Sequence, residues 1–280
     1  MRTLSTRRRH PLAGLFVLLG ALAVAAALYT VFAPKNATAQ ESSTADVEAG
    51  RELFLIGCAS CHGENAEGIV ASDDSNYGPS LIGVGAAAVD FQVGTGRMPM
   101  AQSAPQAPKK DPEYDEEETR QLAAYVASLG PGPSIPEDEF LEYEDATAEE
   151  ISEGGEFFRT NCTACHNSVG AGGALPDGRY APTLEGVTAK HIYEAMQTGP
   201  QQMPVFGDDV ITPEDKRAVI AYIKAVQDQP NYGGLGGGGL GPVADGVWVW
   251  LVGIGGMVGF AIWIAANGTR SKKKVKGAEQ

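Results

Sequence analysis

All four cysteines of this 280-residue chain fall in two pairs, and each pair is followed at once by a histidine: Cys58-x-x-Cys61-His62 and Cys162-x-x-Cys165-His166. Two thiols about one helical turn apart can each close a thioether on one of the two vinyl groups of a porphyrin. The next residue then lies under the iron, so its imidazole becomes the proximal ligand. This is the attachment signature of c-type haem. No thiol is left for a disulfide framework. A zinc site joining both pairs would leave the two histidines without a role. A redox dithiol of the thioredoxin kind needs a preceding strand and a βαβ setting, and neither motif has them.

The sixth ligand is sought downstream. Met98 lies 36 residues after His62, and Met203 lies 37 after His166. Both precede proline, which restricts the backbone of the residue before it. A thioether on iron raises the potential and fills the last coordination position, which points to electron transfer rather than catalysis at the metal. Met100 rivals Met98, but only Met98 aligns with Met203 in the repeat described below. Met196 lacks the following proline and is expected to pack in a helix. His191 sits on a predicted helix with no counterpart in the first half, so it is expected as an exposed or half-buried histidine rather than a ligand. Pro79 and Pro182 are the candidates whose carbonyls would take the remaining ring N–H of His62 and His166 and so orient each imidazole.

The elements that must position these groups come twice, with a spacing of 104 between the Cys pairs. Gly50-Arg51-Glu52-Leu53-Phe54 before the first pair matches Gly154-Gly155-Glu156-Phe157-Phe158 before the second. Tyr77-Gly78-Pro79-Ser80-Leu81 matches Tyr180-Ala181-Pro182-Thr183-Leu184. Each half closes on an amphipathic helix, predicted over Glu116 to Leu129 and over Pro213 to Val226, with Leu122, Tyr125, Val126 and Leu129 or Val219, Tyr222, Ile223 and Val226 on one face. No convincing strand alternation is present, so the expected fold is all-α. The expected divisions are a segment 1–39, a first domain 45–130, an acidic linker 131–147, a second domain 148–229, a glycine-rich tether 230–246, a membrane helix 247–266 and a basic tail 267–280. Residues 104–118, rich in Pro, Lys and acids, are expected as a surface insertion.

Leu12 to Ala33 is an apolar run after Arg7-Arg8-Arg9, long enough to span a bilayer, although Ala37-Thr38-Ala39 offers a small-residue cleavage site. Val247 to Ala266 carries no charge, has Trp248, Trp250 and Trp263 near its ends and is followed by Lys272-Lys273-Lys274. The positive-inside rule puts both basic ends in the cytoplasm, provided the first segment is retained, and residues 40–245 outside. Gly253, Gly255, Gly256 and Gly259 give the second run a small-residue face suited to other membrane helices. Five of the 21 Lys+Arg lie in residues 1–35 and five after 269, which leaves 11 against 34 of the 35 acids between. So acidic a surface repels nucleic acid and suits basic partners.

Cys58-Ala59-Ser60-Cys61-His62 with Pro79 and Met98, and Cys162-Thr163-Ala164-Cys165-His166 with Pro182 and Met203, resemble the class I cytochrome c fold. With two such domains in tandem, an amino-terminal apolar segment and one carboxy-terminal membrane helix, the whole chain resembles the dihaem cytochrome c subunit of the actinobacterial cytochrome bcc complex. Gly94-Thr95-Gly96-Arg97-Met98-Pro99 also looks like that family. The resemblance implies a subunit of a menaquinol–cytochrome c reductase carrying two covalent haem c groups. The first haem would take electrons from a Rieske iron–sulfur protein and the second would pass them to the copper centre of an aa3-type oxidase. A cytochrome b subunit, the Rieske subunit and the oxidase would be partners in a dimeric supercomplex in the bacterial cell membrane. The competing readings are a dihaem cytochrome of another oxidase, such as the cbb3 kind anchored from the amino end, and a dihaem redox enzyme such as a peroxidase or thiosulfate dehydrogenase. The latter needs an open axial site.

Overall fold

A computed structural model describes residues 11–32, 43–70, 76–102, 104–229 and 246–276. Arg7-Arg8-Arg9, Ala37-Thr38-Ala39 and nearly all of the expected glycine-rich tether lie outside these residues. Helices α1 (Pro11–Phe32) and α10 (Gly255–Lys276) flank two similar helical units. The first unit contains α2 (Thr44–Gly57), α3 (Ala59–His62), α4 (Gly85–Gly94) and α5 (Glu116–Ser128). The second contains α6 (Ala148–Asn161), α7 (Thr163–His166), α8 (Ala189–Thr198) and α9 (Pro213–Gln227).

The long helices start where side chains satisfy their free N–H groups. Ser43 and Asp46 form a reciprocal capping box on α2, as do Asp115 and Glu118 on α5, and Thr147 and Glu150 on α6. Thr212 caps α9, with Pro213 at the first helical position.

In each unit the first helix crosses the last. Gly50 on α2 lies against the backbone of Gln121, and Gly154 on α6 against that of Ala218, so closely that a Cβ at either glycine would collide with a carbonyl. Phe54 then meets Tyr125 with ring centroids 5.2 Å apart, and Phe158 meets Tyr222 at 5.5 Å. The first core gathers Phe54, Val89, Val93, Leu122 and Val126; the second gathers Phe158, Ile192, Met196, Val219 and Ile220. Both crossings are pinned from the side. Arg120 makes two 2.9 Å bonds to Asp46, and Arg217 donates to Glu150 at 3.0 Å. Each arginine is the fifth residue of its helix and each acid is the third residue of its own, a second level of repetition beneath the sequence match.

Two short antiparallel ladders depart from the expected absence of strands. β1 (Ile69–Val70) pairs with β2 (Asn76–Gly78), and β3 (Gly173–Ala174) with β4 (Tyr180–Ala181). Strands of two or three residues carry no readable alternation. They are the closure of the loop that returns Pro79 or Pro182 to its histidine.

The units meet along α4 and α8. Lys190 reaches Asp90 at 2.8 Å. Gln106 clasps the Tyr180 backbone, donating to its carbonyl at 2.7 Å and accepting from its N–H at 3.0 Å. Ala107 is buried, and its carbonyl accepts from Gln201 at 3.2 Å. The stretch 104–118 is thus not a plain surface insertion, because part of it wedges between the units.

The segment Gly246–Asn267, 22 residues, is long and apolar enough to cross a bilayer, and its most apolar stretch is not buried against the other described residues. It contains a π-helical stretch, Val249–Ile254, and its large side chains Trp250, Leu251, Phe260 and Trp263 are exposed.

Candidate functional site

Each Cys-x-x-Cys-His motif is folded by the helix that precedes it. Helix α2 ends where the Cys58 N–H donates to Phe54, and α6 ends in the same way with Cys162 and Phe158. A short turn follows in which the His62 N–H donates to Cys58 at 3.0 Å and the His166 N–H to Cys162 at 2.9 Å. The chain then doubles back: Gly68 donates to His62 O at 2.7 Å and Gly172 to His166 O at 2.9 Å. Leu81 and Leu184 close the same loops onto Ala66 and Gly170.

This return places a proline carbonyl beside each imidazole. Nδ1 of His62 lies 2.7 Å from Pro79 O, and Nδ1 of His166 lies 3.1 Å from Pro182 O. A carbonyl only accepts, so Nδ1 carries the proton and Nε2 keeps its lone pair for a metal. Burial pulls the His166 pKa down, partly opposed by the Pro182 carbonyl. The neutral, ligating form is favoured.

The thiols are unlike those of redox dithiols. All four are free, and Cys58 and Cys162 are pushed up to about 11 by burial and, secondarily, by the neighbouring Cys61 or Cys165. Reactive dithiols need the opposite shift. Nor do the four sulfurs converge on a zinc site. Among the described residues, the one grouping of His, Cys and acidic side chains tight enough for a metal is Asp90, His191 and Glu194.

In the second unit a cavity of about 400 Å³ brings Cys162, Cys165, His166 and Met203 together. Leu184, Ile192, Met196, Phe206, Val219 and Ile223 give it apolar walls. Two thiols on one rim, a ring nitrogen with a free lone pair, a thioether and apolar walls fit a flat, iron-bearing porphyrin. In the first unit Cys58 and Met98 both pack against the core, and His62 is buried. Met100 is half-buried. Met196 is a core residue, as its sequence setting predicts.

His191 is turned toward the other unit, with Nε2 3.7 Å from Asp90 Oδ2. Beside it Glu194 is wholly buried and, among the described residues, neither carboxyl oxygen has a hydrogen-bond donor. Burial, then the Asp90 charge, pushes its pKa up to about 10. A proton on Glu194 accounts for its contact with Asp90, the acid on which the cation Lys190 lies. Sequence reading did not find this group, because Asp90 and Glu194 each look like an ordinary helical acid until the two units are brought together. Arg97, Lys109 and Arg179, which line the second cavity, were missed for the same reason.

The sequence profile described as "Cytochrome c" matches residues 47–130. That described as "Cytochrome C oxidase, cbb3-type, subunit III" matches residues 149–223. Among curated proteins, the chain is 42% identical over 272 residues to the "Cytochrome bc1 complex cytochrome c subunit" of Corynebacterium efficiens, covering 92% of this chain and 90% of that one. The protein of the same description from Mycobacterium bovis is 42% identical over 265 residues, 93% of each chain. That of Corynebacterium diphtheriae is 41% identical, covering 92% and 95%.

Proposed function

Since the chain belongs to the family of cytochrome bc1 complex cytochrome c subunits, and so is an electron-transfer protein, we propose that it works as the built-in dihaem wire of a quinol–cytochrome c reductase. In this reading Cys58 and Cys61 hold one haem c, with His62 and Met98 on the iron. Cys162 and Cys165 hold the other, with His166 and Met203. Such an iron takes up and returns one electron without exchanging ligands. Pro79 and Pro182 fix the imidazole planes through the Nδ1 protons. Met98 and Met203 close the far faces, so that no substrate site is left open.

The observation that carries the reading is the convergence of Cys162, Cys165, His166 and Met203 on one apolar cavity, with Nδ1 of His166 already committed to Pro182. The duplicated helix crossings support domain limits of 45–130 and 148–229. The apolar helix ending before Lys272-Lys273-Lys274 supports an anchor with the haem domains on the extracytoplasmic face. The partners in this account are a cytochrome b subunit, a Rieske protein delivering electrons, and an aa3-type oxidase receiving them in a dimeric supercomplex. Isolation of the tagged chain in mild detergent tests the assembly. Cytochrome b, Rieske and oxidase subunits are expected alongside it. A chain that emerges alone, or with a cbb3-type oxidase, would overturn the assignment.

A further inference from the structure

The second cavity inverts the charge of the molecule. Residues 36–269 hold 34 acids and 11 cations. Yet the cavity wall takes Arg97, Lys109 and Arg179 and, among the described residues, no Asp or Glu. An adjoining cleft that shares Arg97 and Lys109 adds one acid, Glu185. Arg97 and Lys109 belong to the first unit, so the wall of one unit's cavity is completed by its neighbour.

These cations are poorly matched by protein. Arg97 is only 9% exposed, its guanidinium rests over the Phe91 ring at 4.8 Å, and among the described residues it has no ion pair. Arg179 has Nε buried and unbonded. A buried guanidinium without an anion is costly, and its planar fork suits a carboxylate. A porphyrin of the haem c type carries two carboxylate side chains, its propionates, which have to be neutralised wherever they leave water.

We propose that Arg97 and Lys109 of the first domain, with Arg179 of the second, form a cradle for the propionates of the haem held by Cys162 and Cys165. The inference rests on the haem reading above. The cradle makes the second haem site a product of both domains, and the clasp of Gln106 on Tyr180 holds the cradle shut. Cations beside the iron favour its less positive, reduced state, so they raise the second midpoint potential.

The test is a spectroelectrochemical titration of the full chain in detergent, with Met203→Ala used to assign the second midpoint. Lys109→Gln and Arg179→Gln are expected to lower that midpoint and leave the first unchanged. Arg97→Gln should lower it further, with Arg97→Lys restoring most of the shift. Because Arg97 adjoins Met98, the variants at Lys109 and Arg179 keep the test clear of the first iron. A second midpoint unmoved by both, or a change confined to the first haem in Arg97→Gln, would overturn the cradle while leaving the haem reading intact. Normal folding with no haem absorbance from the Cys162–Cys165 site would overturn both.

Discussion

His62 Nδ1 lies 2.7 Å from the carbonyl oxygen of Pro79, closer than the 3.1 Å between the corresponding atoms of His166 and Pro182. The residue before each proline explains the difference. Gly78 lies against the motif so tightly that a Cβ there would sit 2.5 Å from Cys61 O and 3.1 Å from His62 Nδ1. The second unit has Ala181 at this place, and its loop stands further off.

Gly78→Ala should therefore lengthen the His62–Pro79 bond toward the second unit's value. A weaker bond makes the imidazole a poorer donor to iron, and the first midpoint should rise by less than about 59 mV, a tenfold bias in a one-electron couple. A redox titration and the imidazole N–H shift in the NMR spectrum check this. A lowered midpoint would contradict it.

Glu194 predicts an unusual pH dependence. Its folded-state pKa is raised to about 10 from an ordinary 4.5. The folded chain keeps a proton that the unfolded chain releases, so stability falls as pH rises from about 4.5 to about 10. Asp90, Lys190 and His191 are the groups that face it. Glu194→Gln should flatten that slope by about 1.4 kcal/mol per pH unit, the value for one proton. Denaturant titrations of the two proteins between pH 6 and 9 measure it, and parallel slopes would disprove the protonated acid.

The glycine crossings should be intolerant of any side chain. Gly50→Ala or Gly154→Ala gains helix propensity of up to about 1 kcal/mol but forces apart helices in backbone contact, which costs about 1–3 kcal/mol or more. Each variant should melt below the parent. Higher stability in either would mean that the helices do not cross at these glycines.

Met203→Ala should open the second iron. Carbon monoxide is expected to bind that ferrous haem in the variant and neither haem in the parent, and the second midpoint should fall. In the first domain Met98→Ala should behave likewise and Met100→Ala should not. Carbon monoxide difference spectra separate these outcomes.

Most of the candidate site is legible in the sequence because it is local. A thiol, a thiol and an imidazole within five positions fix one rim of a cavity, and duplication then picks Met98 and Met203 from the other methionines. The helices predicted over Glu116 to Leu129 and Pro213 to Val226 are found at Glu116–Ser128 and Pro213–Gln227. Their apolar periodicity is backed by capping side chains that pattern reading did not use. The joint between the domains was illegible. Asp90 meets Lys190, and Gln106 meets Tyr180, across long sequence separations and with no periodic signal. Arg97 reads as one more residue of a ligand loop until the second domain is packed against it.

The central claim is that each Cys pair holds one haem by thioether bonds. The most direct measurement is the intact mass of the denatured chain, compared with that of Cys58→Ala/Cys61→Ala and Cys162→Ala/Cys165→Ala variants. The account predicts two covalent haem groups on the parent and one on each variant. A parent whose mass equals that of its polypeptide, or a variant that keeps both groups, would contradict it.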